Sequence, residues 1–451
     1  MQGSKLGPIL FIFYINDLLR ELNDSNLGAE IDNLIISSLG FADDIVLITG
    51  CPKKLQKLLD ICYKWTIRNG MSFNIDKCKI MVLNKSAKGD EFKLGKKCLE
   101  KVKIYKYLGV MFSNTRLTSL YTKHFARVIE KAEKRINCVR HFGFDSDGLR
   151  PATCLGMYKV LVRPILEYAS QVLSYTHHYF TVPPRPRRIF EPSDFLLKLE
   201  QFQNRILKLI IPCPKSTPCA LLRLLTGTLS VAAHIDILKL RYFWKLTHSV
   251  KNNFALDIYK YRRSQFFESN IGYAHEIFTL CCEYKIMWVW HGTINSKFNP
   301  LTHIKNHIVK YHLKRDLEYS LKSNCVYTST SLSANGYGQK YKLDKFLRQL
   351  GFFESSEHRR FFLYAFLDTG AYPRPCQKCL TVINDRLSHA LTACPKAIKL
   401  RIILRLKLLL YNANRVVSPT KFGCKETLYT LSMGNRLIRR SFCEFLVSFG
   451  Y

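Results

Sequence analysis

The stretch "LGFADDIVLITG", Leu39 to Gly50, constrains the fold more than any other. Two adjacent carboxylates, Asp43 and Asp44, interrupt an otherwise apolar run bounded by Gly40 and Gly50. Short apolar runs closed off by turn residues read as the strands of a buried β-hairpin, yet a carboxylate is seldom buried unless it is paired or bound to metal. Successive side chains on a regular strand point to opposite faces, so both acids can serve one site only at the bend of that hairpin. Two readings follow: a surface turn, which aspartate favours by bonding its own backbone, or an acid pair displayed to hold a cation.

The flanks predict the layer in which the hairpin sits. Pro8 opens a helix from about Ile9 to Arg20, and its early turns are apolar on all sides, so it is expected to be buried. Pro52 opens a second helix, with Leu55, Leu58, Leu59, Cys62 and Trp65 on one stripe and Asn69-Gly70 at its end. "MSFNIDKCKIMVLN" reads as one or two short strands. Helix, hairpin, helix and strands in this order predict an α+β layer, an antiparallel sheet with helices on one face.

Beyond about Thr115 the pattern turns helical. Phe125, Val128, Ile129, Ala132, Ile136 and Val139 form an apolar stripe, with Lys123, Arg127, Lys131, Lys134 and Arg135 mostly off it. That basic face suits contact with phosphates, or simply solubility. "TVPPRPRRIF" is a proline-rich basic linker. A helix through Leu199, Phe202, Ile206 and Leu209 follows, then a long loop in "NCVYTSTSLSANGYGQKY", a Cys/His stretch from Cys376 and closing basic helices. The expected segments are residues 1–115, 116–180, 181–192 (the linker), 193–365, 370–398 (the Cys/His motif) and 399–451.

The chain has 451 residues, enough for two to four domains. Its 69 Lys and Arg against 34 Asp and Glu leave a net charge of +35, spread along the chain. Such a balance points to a polyanionic partner. With no apolar stretch near 18 residues that would span a bilayer, nucleic acid is the expected partner and a membrane is not. The sixteen cysteines are too dilute for a disulfide scaffold, which suits the nucleus or cytoplasm. The apolar run Ile9 to Ile15 ends in Asn16-Asp17 without a small-residue cleavage site, so secretion is not expected.

Two ionised carboxylates about 4 Å apart repel by roughly 4 kcal/mol at an effective dielectric of 20. A bound Mg²⁺ reverses that sign, and carboxylates completed by water and phosphate are its preferred ligands. A pair of such ions activates an attacking oxygen and stabilises a leaving one, which is the chemistry of phosphoryl transfer. A second metal signal is Cys376, Cys379, His389 and Cys394, spaced Cys-x2-Cys-x9-His-x4-Cys. Three thiolates and an imidazole make a closed tetrahedral shell, the pattern of structural Zn²⁺. Chance spacing among sixteen cysteines and thirteen histidines is the alternative.

"QGSKLGPILFIFYINDL", "FADD", "WTIRNGMSFNIDKCKIMV" and "YKYLGV" stand in this order. Together they resemble the palm of reverse transcriptases, most closely those of non-LTR retrotransposons, with "YKVLVRPILEYASQVLSY" and "LEQFQNRILKLI" similar to the segment after the palm. The Cys/His spacing also resembles a zinc knuckle near the C-terminus of several such elements. The resemblance implies a partial polymerase palm followed by thumb-like helices, RNA-templated DNA synthesis with two Mg²⁺ ions, and an RNA template, a DNA primer or target and deoxynucleoside triphosphates as partners.

It also implies roles by position. Asp43 matches the family's metal-binding aspartate and Asp44 its acidic neighbour. Gln2, Gly3 and Ser4 match the stretch along template and incoming nucleotide, where a plain helix-entry turn is the alternative for Gly3. Lys77, three residues after Asn74, matches a lysine near the nucleotide's phosphates, or is a solvated lysine at a strand end. Leu108 and Gly109 match the hairpin that holds the primer end, or a core hairpin. The family draws a further aspartate from a strand before the "QGS" motif, whereas this sequence starts at Met1-Gln2. The expectation is therefore an N-terminally truncated enzyme, inactive by itself, or a non-catalytic nucleic-acid-binding remnant of a retroelement.

Overall fold

The computed structural model describes residues 6–173, 194–322 and 374–410, less 84–90, 115–120, 142–148, 250–253, 266–271, 294–298, 384–388 and residues 212, 215 and 377, together with 442, 444 and 445. The chain divides into two compact units, residues 1–127 with 249–270, and residues 128–248 with 271–451.

The first unit opens with helix α1 (Gly7–Asp24), Pro8 lying in its first turn as the sequence requires. Strands β1 (Ala29–Ile31) and β2 (Leu34–Ile36) form one antiparallel pair, and β3 (Ser38–Phe41) and β4 (Asp44–Leu47) the next. Helix α2 (Pro52–Asn69) ends on Gly70 in the left-handed region. Five short strands follow: β5 (Lys79–Ile80), β6 (Lys93–Leu94), β7 (Lys97–Cys98), β8 (Glu100–Lys101) and β9 (Ile104–Tyr107), then β10 (Val110–Ser113). β6 pairs with β7 and β9 with β10, while β5 and β8 run parallel. Leu18 and Leu22 of α1 meet Leu58, Leu59, Cys62 and Trp65 of α2 in the core, joined by Ile80, Phe92, Leu94 and Leu99.

Two expectations need correction here. The described strands form six separate two-stranded pairs and are not joined in one sheet. "MSFNIDKCKIMVLN" supplies one short strand, β5, within the one or two expected, and before it the Asn74 carbonyl closes a turn with the amides of Lys77 and Cys78. Helix α1 is not buried on all sides: Ile15, Leu18 and Leu22 are, but Leu10 and Phe13 are 63% and 73% exposed. α2 and β3 cover only part of its surface, and nothing described in this unit covers the rest.

Helix α3 (Thr122–Arg140) buries Phe125, Val128, Ala132, Ile136 and Val139 and leaves Lys123, Lys131, Lys134 and Arg135 exposed, as its stripe predicts. The second unit is helical: α4 (Pro151–Met157), a wide π-turn at Tyr158–Val162, α5 (Arg163–Leu166), α6 (Asp194–Ile210), α7 (Cys219–Thr226) and α8 (Val231–Thr247). Helix α9 (Phe254–Ser264) belongs to the first unit. In the second, α10 (Tyr273–Glu283), α11 (Met287–His291) and α12 (Pro300–Leu321) pack with α7 and α8. The pair β11 (Arg374–Pro375) and β12 (Val382–Ile383) and helix α13 (Ile398–Leu410) follow in the same unit. The proline-rich linker and the "NCVYTSTSLSANGYGQKY" stretch lie outside the described residues. Among the described residues no single helix is long and apolar enough to cross a membrane.

Candidate active site and metal centre

The acid pair does sit at a bend. Phe41 pairs with Asp44 across the β3–β4 hairpin, so Ala42 and Asp43 form a two-residue turn and Asp44 starts the return strand. Ala42 holds φ 53°, in the left-handed region that disfavours any side chain. Alternation then orients the strand: Ile45 and Leu47 pack toward the core, which turns Asp44 to the opposite face. Both carboxylates are exposed, so the expectation of a buried hairpin fails at its tip. Water screens their mutual repulsion there, and oxygen ligands open to solvent suit a hydrated Mg²⁺.

The base of the hairpin is fixed from α1. Asn23 Oδ1 accepts hydrogen bonds from the Ser37 and Ser38 amides at 3.2 and 3.0 Å. A Cβ at Gly40 would lie 2.7 Å from the Leu19 side chain, so glycine lets β3 lie directly on the helix. Asn23 does not stand out in the sequence, and Gly40 stands out only as a boundary of the apolar run, because their roles against α1 and β3 depend on a partner element.

Strand β9 gathers the other motif residues. The Tyr105 hydroxyl donates to the Lys77 carbonyl at 3.1 Å. Burial, and then the charge of Asp44, push the Tyr107 phenol upward, so Asp44 lies within electrostatic reach of the same strand. The β9–β10 turn is Leu108-Gly109, with φ 45° and 81°. Two positive φ values define the tight turn that matches strand twist, and the non-glycine one is costly. Asp43, Asp44, Lys77, Leu108 and Gly109 thus lie in one unit, and Lys77, whose backbone carbonyl meets β9, is exposed. Gln2, Gly3 and Ser4 lie outside the described residues. Among the described residues no third acid, histidine or cysteine completes a three-ligand cluster with Asp43 and Asp44.

The Cys/His motif does converge. The ligand atoms of Cys376, Cys379, His389 and Cys394 all lie within 4.8 Å of one another. Cys376 and Cys394 Sγ are 3.9 Å apart, and Cys379 Sγ is 3.1 Å from His389 Nε2. Two sulfurs on one tetrahedral zinc stand about 3.8 Å apart, given Zn–S of about 2.3 Å, so the donor set fits that ion. The β11–β12 pair builds the turn: the Cys376 amide donates to the Thr381 carbonyl and the Leu380 amide to the Cys376 carbonyl, with Leu380 at φ 63°. The Thr381 hydroxyl, 2.7 Å from Cys379 Sγ, is the main cause that pulls this thiol down to about 6, favouring the thiolate that binds metal. Arg401 of α13 donates to the carbonyls of Ala390 and Cys394, tying the loop to the helix. Thr381 and Arg401 carry no spacing signal, and only the folded loop reveals them.

Residues 1–112, which contain the acid hairpin and most of the β9–β10 hairpin, match the family described as reverse transcriptase (RNA-dependent DNA polymerase). Among curated relatives, the chain is similar to the retrovirus-related Pol polyprotein from type-2 retrotransposable element R2DM of Drosophila melanogaster, 34% identical over 124 residues, 25% of this chain and 12% of that protein. It is also similar to the Pol polyprotein from type-1 retrotransposable element R2 of Popillia japonica, 28% identical over 144 residues, 30% of this chain and 24% of that protein. The chain thus covers less than a quarter of each relative's length. No solved structure matches.

Proposed function

We propose that the first unit is the palm portion of an RNA-directed DNA polymerase of a non-LTR retrotransposon, carrying out RNA-templated DNA synthesis. The observation that carries this reading is the exposed Asp43-Asp44 turn, held on α1 by Asn23 and lying within the family match in the same unit as Lys77 and the Leu108-Gly109 turn. In the reaction a primer 3′-hydroxyl loses its proton and attacks the α-phosphorus of a deoxynucleoside triphosphate, forming a phosphodiester as pyrophosphate leaves. Asp43 and Asp44 would hold Mg²⁺, which supplies charge for the attacking and leaving oxygens. The Lys77 ammonium would sit near the departing phosphates. Gln2, Gly3 and Ser4 would lie along template and nucleotide, and Leu108 with Gly109 would support the primer end. Cys376, Cys379, His389 and Cys394 would hold one structural Zn²⁺. RNA, DNA and nucleotides are the partners, in the nucleus or cytoplasm.

Two ions need more carboxylates than this pair, so residues 1–451 alone are expected not to extend a primer. A non-catalytic nucleic-acid-binding role is the second reading, and it is favoured by the pair standing without a third ligand among the described residues. Primer extension on an RNA template separates them. A chimera placing residues 1–451 behind the segment that precedes the matching region in the Drosophila relative should synthesise DNA with Mg²⁺, and Asp43→Ala should abolish synthesis. A folded chimera that binds primer–template without synthesis supports the second reading. Synthesis that survives Asp43→Ala removes the acid pair from the mechanism.

A further inference from the structure

In the second unit, far along the sequence from the acid pair, a chain of rings runs over α8, α11 and α12. The His248 imidazole stacks on Trp244 at 3.7 Å between centroids and 19° between planes. Trp244 meets Trp288 edge-on at 5.5 Å, Trp288 meets His303 edge-on at 6.1 Å, and His303 lies 5.3 Å from His307. Trp244 is buried at 6% exposure and forms the base, whereas His248 and His307 are exposed and Trp288 and His303 half-exposed. Along α12, His303, His307, Lys310 and Lys314 recur at steps of four, three and four, which puts them on one stripe of a 3.6-residue helix. Lys310 and Lys314 are exposed. Glu318 stands 3.9 Å from Lys314, a surface pair too weak to hold that lysine from another anion.

A solvated helix face would carry the lysines but has no use for a run of open rings. Water gains nothing from them, while indole and imidazole rings that reach solvent are what unstacked bases pack against. A duplex hides its base faces and offers only phosphates, so the rings select for a single strand. Spacing agrees: eleven residues of helix put Lys314 about 16 Å from His303, a span that about five nucleotides fill at about 3.4 Å each.

We infer that His248, Trp288, His303 and His307, continued by Lys310 and Lys314, form a binding track for single-stranded nucleic acid in the second unit. Bases stack on the rings and phosphates run onto the lysines. The track belongs to a different unit from Asp43 and Asp44, so it can work whether or not the first unit polymerises.

The test uses the full chain and a single-stranded RNA of about ten nucleotides bearing 5-iodouridine, which cross-links on illumination to rings that stack on it. Peptide mapping should place cross-links at Trp288 or within residues 303–307. The double variant His303→Ala, His307→Ala should lower that yield about tenfold while zinc content and melting stay unchanged. Lys310→Gln with Lys314→Gln should weaken binding to all sequences alike and reduce the salt slope by about 1.4, or 0.7 per lost phosphate contact on a single strand. A duplex of the same sequence should not cross-link there. Asp43→Ala should leave the cross-links in place, so a failure here is distinct from a failure of the polymerase reading. Cross-links confined to other peptides, or ring variants that cross-link like the parent while the lysine variant weakens, would overturn the track and leave only a charged helix face.

Discussion

Ala42 and Asp43 show how much one turn residue controls. Holding a methyl-bearing residue at φ 53° costs free energy that glycine would not incur. Ala42→Gly should therefore stabilise the first unit by about 1 kcal/mol, read as a higher urea midpoint with unchanged slope. An unchanged or lower midpoint would mean that the turn is not strained. A second residue-scale prediction concerns the second unit, where the Tyr284 hydroxyl lies 2.6 Å from Asp236 Oδ2 and 2.9 Å from His312 Nε2. Burial pushes the Asp236 carboxyl up to about 7 and the His312 imidazole down to about 3, so the fold favours both neutral forms. For Asp236, the folded state holds a proton that the unfolded state has lost between about pH 4 and 7, so stability falls with rising pH in that window. For His312, the unfolded state holds the extra proton between about pH 3 and 6.5, so stability rises with pH there. Each slope approaches about 1.4 kcal/mol per pH unit, and in the shared window the two offset each other. Asp236→Asn should leave a rising profile and His312→Gln a falling one, measured by denaturation across pH. Slopes of the same sign in the two variants would refute the pairing.

At the scale of elements, the Cys/His loop is the piece whose order depends most on a ligand. Its thiolates repel one another unless a cation joins them. Purified chain should contain one zinc, and Cys379→Ser should release it while the helices α6 to α12 keep their far-ultraviolet signal. No zinc in the parent, or unchanged content in the variant, would make the convergence of the four side chains incidental. Helix α1 behaves in the opposite way. Its composition says buried, yet α2 and β3 cover only part of its surface, so Leu10 and Phe13 stay exposed.

For the whole molecule, the +35 charge outweighs any single contact in setting how the chain meets a polyanion. Binding to RNA or DNA should be largely electrostatic, with affinity falling steeply between low and moderate salt. A flat salt response, measured by filter binding across a salt series, would show that the charge is not used for that purpose.

The sequence by itself determined what depends on near neighbours in the chain. That includes both proline-started helices, the α3 stripe, the bend at Asp43-Asp44, the Cys-x2-Cys turn and the reverse transcriptase motifs, because capping, periodicity and turn chemistry act over a few residues. Tertiary structure decided what depends on distant ones. Asn23 and Gly40 fix the acid hairpin through α1, Tyr105 of β9 holds the Lys77 carbonyl, Thr381 and Arg401 hold the metal loop, and the run of rings joins three helices. Each of these contacts links residues brought together only by packing, so no spacing in the chain announces them. The separation of the described strands into pairs is of the same kind, since pairing depends on which edges meet in space and not on the pattern within each strand.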